Sequence, residues 1–298
     1  MTRVWGGRSL ESAYERSLPD EQPYGESWEL SDRPDEQSVV IDGPFAGKTL
    51  HDLWTGHREE IFGANLTGDR FPLLIKILDA RDDLSIQVHP PAPLAAELGG
   101  EPKTEMWYIA DCTPGASLYL GLKKGATRES FEQSLGNGSV ADQVHAVHPS
   151  PGQSIFIPSG RLHAIGAGFL IYEIQQNSDT TYRVFDWNRL GLDGTPRDLH
   201  IAQSLASIDF EDFEPGMDEP NGNTLAECPY FVVDQLALAA GDVLTNPGDR
   251  FSIITVVTGE LAAKNGRTFR KGDFFLLPRS TAPVTASLDS QILQTYLP

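Results

Sequence analysis

Cysteine is scarce in this chain. The two present, Cys112 and Cys228, lie far apart and neither belongs to a CxxC pair. This fits a reduced, cytoplasmic protein in which both thiols serve as small core hydrophobes. Positive charge is also short, with 23 Lys and Arg against 42 Asp and Glu for a net charge of −19. No broad basic stripe is available for nucleic acid. The same field repels an anionic substrate, so a few local Arg or Lys side chains would have to capture one. No run of about 18 apolar residues is present, which excludes a membrane-spanning helix. The opening MTRVWGGRSLESAYER lacks an apolar core and does not read as a signal peptide.

What is present suits a β-rich protein. The 28 Gly and 21 Pro are scattered along 298 residues, as many short strands and tight turns require. Helical periodicity is confined to Leu50–Phe62, Ala92–Leu98, Thr127–Leu135 and a stretch near Val140–Val147. Strand patterns cover Pro72–Leu78, Leu84–His89, Thr104–Ala110, Ser154–Pro158 and Phe169–Ile174. A chain of this length can bury one large core or two smaller ones.

The acidic run Asp209–Glu219 contains Pro and Gly and reads as a solvated linker. The expected organisation is a first domain over 1–210, a linker over 211–224 and a second β domain over 225–298. A faint repeat joins the two domains: Gly152-Gln-Ser-Ile-Phe-Ile-Pro158 and Gly272-Asp-Phe-Phe-Leu-Leu-Pro278 share a Gly, five residues and a Pro. Beyond the repeat the copies diverge, with Ser280 and Pro283 standing where the first has Gly160 and His163. One active and one degenerate copy is the expectation.

Four segments carry chemistry. Along Leu84–Pro90, side-chain alternation places Ser85, Gln87 and His89 on one face and Ile86 and Val88 on the other. The first face lines something polar, or else the strand is merely an amphipathic surface element. Lys103 and Glu105 share a face with Trp107 and Ile109, which in isolation also fits a solvated edge strand. The third segment, Gly152 to His163, has the spacing Gly-x5-Pro-x-Gly-x2-His, the second cupin motif. Gln87, His89 and Glu105 resemble a variant of the first cupin motif. Together Gln87, His89, Glu105 and His163 form a mixed nitrogen and oxygen donor set suited to Zn²⁺ and tolerant of Mn²⁺, Co²⁺ or Fe²⁺. In the fourth segment, Glu173 and Arg183 can pair with each other, or Arg183 can offer its guanidinium fork to a phosphate or a developing oxyanion.

LSIQVHP, KTEMWYI, IPSGRLHAIG and YEIQQNSDTTYRVFDW, with WGGRSL and GESWELSD nearer the start, resemble the signature segments of type I mannose-6-phosphate isomerase in its short bacterial form. The similarity covers roughly residues 1–205. It implies a mainly β fold of two cupin-type jelly-roll β-barrels with a few short helices, only the first binding metal. It also implies an aldose–ketose isomerase that interconverts mannose 6-phosphate and fructose 6-phosphate through a metal-stabilised cis-enediol. The family's zinc ligands fall on Gln87, His89, Glu105 and His163, and its active-site arginine on Arg183. Ser85, Lys103 and Glu173 match pocket positions: Ser85, Lys103 and Arg183 for substrate, with Arg183, Lys103 and Glu173 as catalytic candidates. The implied partner is a small sugar phosphate, with no nucleic acid or membrane, and the chain would act as a monomer or homodimer. Only 57 residues separate Glu105 from His163, so the large helical insertion of the longer enzymes has no room here.

Other readings stay open. The chain could be a different cupin metalloenzyme, such as another sugar-phosphate isomerase or a dioxygenase, or a sugar-binding regulator without turnover. Gly43–Thr49 imitates a phosphate-binding loop but is one residue short between its glycines, and reads as a turn. Gly166-Ala-Gly168 is no dinucleotide loop, and His145 and His148 lie off the cupin spacing.

Overall fold

The computed structural model describes residues 1–280 and 283–298. Its contacts divide the chain into two units, Met1–Trp28 with Ile75–Asp218, and Glu29–Leu74 with Glu219–Pro298. Residues 29–74 therefore group with the C-terminal strands, whereas the sequence reading placed them within 1–210. Both units are mainly β.

In the first unit, one sheet runs in the order Thr2–Gly7, Leu73–Ala80, Phe169–Gln176, Glu105–Cys112, Ser154–Ile157, with Glu26–Leu30 added beside Leu73–Ala80. A second sheet orders Tyr182–Phe185, Ile86–Val88, His163–Ile165, Leu118–Leu122 and Val144–Val147. They pack face to face. Trp107, Ile155 and Phe169 of the first sheet meet Leu118, Leu120 and Ile165 of the second in one buried cluster. Burying an aliphatic side chain as completely as Ile155 contributes roughly 1.5–3 kcal/mol. The outer face of the second sheet, through Ile86, Val88 and Val184, is covered by Phe131, Val140, Leu205 and Phe213.

The second unit repeats the plan with a five-stranded and a four-stranded sheet, whose core joins Ile254, Val256 and Ile292 to Leu261 and Val284. Residues 29–74 bring aromatic rings to it: Trp54, Phe62 and Phe251 meet edge-on, with centroids 5.1 Å apart at each step. Among the described residues the strand orders are open paths, so each unit is a two-sheet sandwich rather than a closed barrel.

The repeat is visible in the backbone. Ser154–Ile157 and Phe274–Leu277 are strands, preceded by Gly152 at φ 90° and Gly272 at φ 84°, conformations that favour glycine. Gly152 N donates to Ile109 O and Gly272 N to Val256 O, the same bond made twice.

Several expectations need correction. The stretch near Val140–Val147 is a short 3₁₀ turn over Val140–Gln143 followed by the strand Val144–Val147. Its apolar spacing suits a helix, but Val144 and Val147 pair with the Leu118–Leu122 strand. Leu50–Phe62 breaks at His57 (φ −135°, ψ 25°) into Leu50–Gly56 and Arg58–Ile61. Ala92–Leu98 shortens to Ala92–Ala95. Thr127 caps Arg128–Asn137 by accepting from Ser130 N at 3.1 Å. Cys112 and Cys228 are half-buried rather than core residues.

The acidic segment, through Asp218, is no free linker. Asp212 takes a two-pronged ion pair from Arg161, the Asp218 carboxylate accepts from Phe156 N, and Phe213 and Met217 pack on the cores of the first unit. Asp212 and Asp218 are held there because each has found a partner.

Candidate metal centre and cavity

His89, Glu105 and His163 converge, although they stand 16 and 58 residues apart in sequence. The register explains it. Gln87 and His163 are direct partners across an antiparallel pair, and Arg183 faces Gln87 from the other side. Glu105 opens its strand on the facing sheet. One ligand-capable atom from each of the three residues lies within 4.8 Å of the others, and all three residues are buried. The Nε2 atoms of His89 and His163 lie 3.5 and 3.6 Å from the two Glu105 carboxylate oxygens.

The imidazole tautomers are fixed by their surroundings. His89 Nδ1 lies 2.9 Å from Thr180 O and His163 Nδ1 2.8 Å from Arg161 O. A carbonyl only accepts, so each Nδ1 carries the proton and each Nε2 presents a lone pair. His89 Nε2 and both Glu105 oxygens make no hydrogen bond, a costly state for buried polar atoms. The Lys103 ammonium is 2.8 Å from Glu105 Oε2, an ion-pair contact out of hydrogen-bond alignment. Three buried donor atoms without hydrogen bonds, gathered in one place, fit a divalent cation, and Gln87 borders the same place with its amide 3.3 Å from His163 Nε2.

The electrostatics agree. Burial, then the neighbouring Lys103 ammonium, pushes His89 down to about 3, and burial also lowers His163, which favours neutral rings, the form that metal ligation requires. Burial alone would raise Glu105, but Lys103 and the two imidazoles overcome it and hold the carboxylate well below its usual range.

Beside this cluster opens a cavity of about 560 Å³, bordered by Ser85, Gln87, Lys103, Glu173 and Arg183. The four expected pocket positions, Ser85, Lys103, Glu173 and Arg183, gather in one place with Gln87, an expected metal ligand. Glu173 and Arg183 do not pair with each other. Glu173 lies 3.3 Å from Lys76 Nζ and accepts from Trp107 Nε1 at 3.2 Å; burial raises its carboxyl. Arg183 Nη1 donates to Asp198 O at 2.8 Å, while its buried Nε makes no hydrogen bond. Burial and the nearby Arg197 lower the Arg183 guanidinium. An arginine fork part-committed to the wall and part-free is suited to an anion.

Several lining residues escaped the sequence reading. Lys76 is the lone basic residue in the fully buried strand Leu73–Ala80, with apolar neighbours on both sides, and that isolation is the signal. Its ammonium lies 5.0 Å from the Trp28 ring centroid. Glu26 accepts from Arg3 Nε at 2.9 Å, Arg3 Nη2 at 3.0 Å and Trp28 Nε1 at 2.8 Å. Burial would raise it, but Lys76 and Arg3 pull it down to about 2. Arg3, Glu26, Lys76, Glu173, Lys103 and Glu105 thus alternate in sign along one wall. Arg197, which ion-pairs with Asp186, and Asp179 also border the cavity. Gly43–Thr49 forms turns, and His148 lies exposed, 3.1 Å from Ser117 Oγ.

The second unit shows what the repeat became. Ile157 pairs with Glu105, and in the second copy Leu277 pairs with Ser252. By the same register Gln294, which faces Ile254, stands where Glu173 faces Trp107. Gln294 Nε2 donates to Ser252 Oγ at 3.0 Å and to Thr245 O at 2.9 Å, and Ser252 Oγ donates to Asn246 Oδ1 at 2.6 Å. Neutral groups satisfy one another at that site.

Comparison with known proteins places this geometry in context. The family model for the phosphomannose isomerase type I catalytic domain matches residues 1–114. Mannose-6-phosphate isomerase ManA of Bacillus subtilis (strain 168) is 38% identical over 291 residues, covering 93% of this chain and 90% of the relative. The mannose-6-phosphate isomerase of Streptococcus mutans is 34% identical over 306 residues, covering 99% and 95%. A crystal structure of the Bacillus subtilis mannose 6-phosphate isomerase superposes with a TM-score of 0.88 at 34% identity, covering 100% of this chain and 97% of that one.

Proposed function

This chain belongs to the type I phosphomannose isomerase family, and on that premise we infer that it interconverts mannose 6-phosphate and fructose 6-phosphate through a cis-enediol. The observation that carries the reading is the pair of imidazoles whose Nδ1 protons are spoken for by backbone carbonyls. Their Nε2 atoms turn to Glu105 beside a cavity bordered by Arg183 and Lys103.

Gln87, His89, Glu105 and His163 would hold one divalent metal. Two imidazoles, a carboxylate and an amide oxygen favour zinc, with Mn, Co or Fe tolerated. When bound, the ion supplies Lewis-acid charge that orients the sugar oxygens and stabilises the enediol. Arg183 and Lys103 provide the local positive charge that a chain of net charge −19 must reserve for a phosphorylated substrate, with Ser85 beside them as a hydroxyl partner. The reaction removes a proton at C2 of the aldose and returns one at C1. Glu173 and Lys103 both border the cavity and are the two groups proposed for that transfer. The same proposal takes the chain to be a monomer or homodimer acting in the cytoplasm; no helix among the described residues is long and apolar enough to cross a membrane.

The test is isomerase turnover of mannose 6-phosphate, read as fructose 6-phosphate, with metal-stripped and zinc-restored protein side by side. Zinc-dependent turnover supports the reading. Tight metal binding without turnover on this substrate would point instead to a different cupin activity or to a sugar-binding protein.

A further inference from the structure

The proton on His163 Nδ1 is held by the carbonyl of Arg161, 2.8 Å away. That carbonyl sits in the turn Pro158–Leu162, and the turn is anchored from outside. Arg161 Nε and Nη2 grip the two oxygens of Asp212 at 2.8 and 3.1 Å, and Arg161 Nη1 donates to Phe156 O at 2.8 Å. Asp212 is itself fixed, because its carbonyl accepts from Leu122 N at 2.9 Å and Glu214 N returns a bond to Leu122 O at 2.9 Å. The acidic segment thus runs beside the Leu118–Leu122 strand, the neighbour of the strand that begins at His163.

The turn bridges two ligand-bearing residues. Gly160 N donates to His89 O at 2.9 Å, and Gly160 O accepts from Asp209 N at 2.8 Å. Gly160 adopts φ 94°, and a Cβ there would lie 3.3 Å from Ser207 O and 3.7 Å from Asp209 Cβ, so the chain entering the acidic segment passes close against the turn. The side chains of Arg161 and Asp212 are only 14% and 18% exposed, which makes this pair stiffer than a surface salt bridge.

We propose that Asp212, acting through Arg161, is a positioning residue for the metal centre: it fixes the carbonyl that orients His163 and thereby sets metal affinity. The proposal rests on His163 being a metal ligand. A group that aligns a ligating histidine commonly changes metal affinity tenfold to a hundredfold when removed. The Asp212–Arg161 pair lies one step further out than that group, so the lower end applies.

The experiment titrates zinc into metal-free wild type, His163→Ala, Asp212→Asn, Asp212→Glu and Arg161→Lys, in competition with a chromophoric chelator. The visible spectrum of each cobalt-substituted protein is recorded alongside. Val140→Ala, a cavity change in the core beneath the second sheet, serves as a destabilised control. The expected result is zinc affinity about tenfold weaker in Asp212→Asn, with a shifted cobalt spectrum. Asp212→Glu should restore part of the loss, and Val140→Ala should bind as wild type does. Should Asp212→Asn not fold, Arg161→Lys, which keeps the charge but loses the fork, carries the same expectation. Wild-type affinity in these folded variants overturns the proposal, as does an equal loss in Val140→Ala. If wild type itself shows no zinc site, or His163→Ala binds as wild type does, the metal-centre assignment fails, which is a separate outcome.

Discussion

Gln87 and His163 face each other directly across an antiparallel strand pair, 76 residues apart in the chain, with the Gln87 amide 3.3 Å from His163 Nε2. Register alone puts them on one face, and Arg183 continues the row from the next strand. A single sheet face therefore carries two proposed metal ligands and the arginine proposed to bind the anion, side by side. A one-residue slip of any strand would turn its contribution away from the cavity.

Replacing His163 by Ala removes one of three converging donors, and both zinc binding and turnover should be lost together. Metal content by mass spectrometry, measured with kcat on the same sample, checks this. Normal turnover without bound metal would end the scheme.

Arg183→Ala should leave the fold and metal content as they are, because Arg183 has one hydrogen bond to the wall, at Asp198 O. The loss should fall on kcat/KM for mannose 6-phosphate, roughly tenfold to a hundredfold for one charge-assisted hydrogen-bonding group. Steady-state kinetics decide it, and an unchanged kcat/KM reassigns Arg183 to structure.

Lys76→Met should cost about 3 kcal/mol of stability, since it strips a buried ion-pair partner from the buried Glu173. Adding Glu173→Gln should recover part of that loss, because the orphaned charge goes with it. Urea unfolding of the two single variants and the double tests the coupling, and simple additivity would show that the ion pair does not exist in solution.

Acid should destabilise the metal-free protein partly through Glu26. Its folded value is depressed to about 2 from an ordinary 4.5, so it favours the folded state above 4.5. That stabilisation drains away as pH falls from 4.5 towards 2, by about 3 kcal/mol in all. Glu26→Gln should flatten this limb of the stability–pH curve, and an identical slope in the variant would refute the assignment.

The proposed metal-ligating set is legible because its signals are local. A glycine with positive φ at 152 and another at 160 frame the strand and turn that deliver His163, and alternation along Leu84–His89 delivers Gln87 and His89. Lys76 was not read, because a lysine inside an unbroken apolar run gives no sign of the Glu173 waiting on another strand. The acidic segment was misread for the same reason. Composition reports six carboxylates between 209 and 219 but not that Arg161 and the Phe156 amide reach for two of them. The grouping of residues 29–74 with the C-terminal strands depends on long-range ring contacts such as Phe62 with Phe251, for which no local pattern exists.

The Asn246–Ser252–Gln294 network has a consequence for stoichiometry. Where the Glu105 oxygens make no hydrogen bond and one meets only the Lys103 ammonium, Ser252 and Gln294 already hydrogen-bond each other, Asn246 and Thr245. The polypeptide should therefore saturate at one equivalent of metal, not two, despite carrying the architecture twice. Recreating a second centre would demand simultaneous exchange of several mutually bonded side chains. Any one of them altered alone leaves a buried polar partner stranded, so the duplicate is locked out of catalysis by its own good packing.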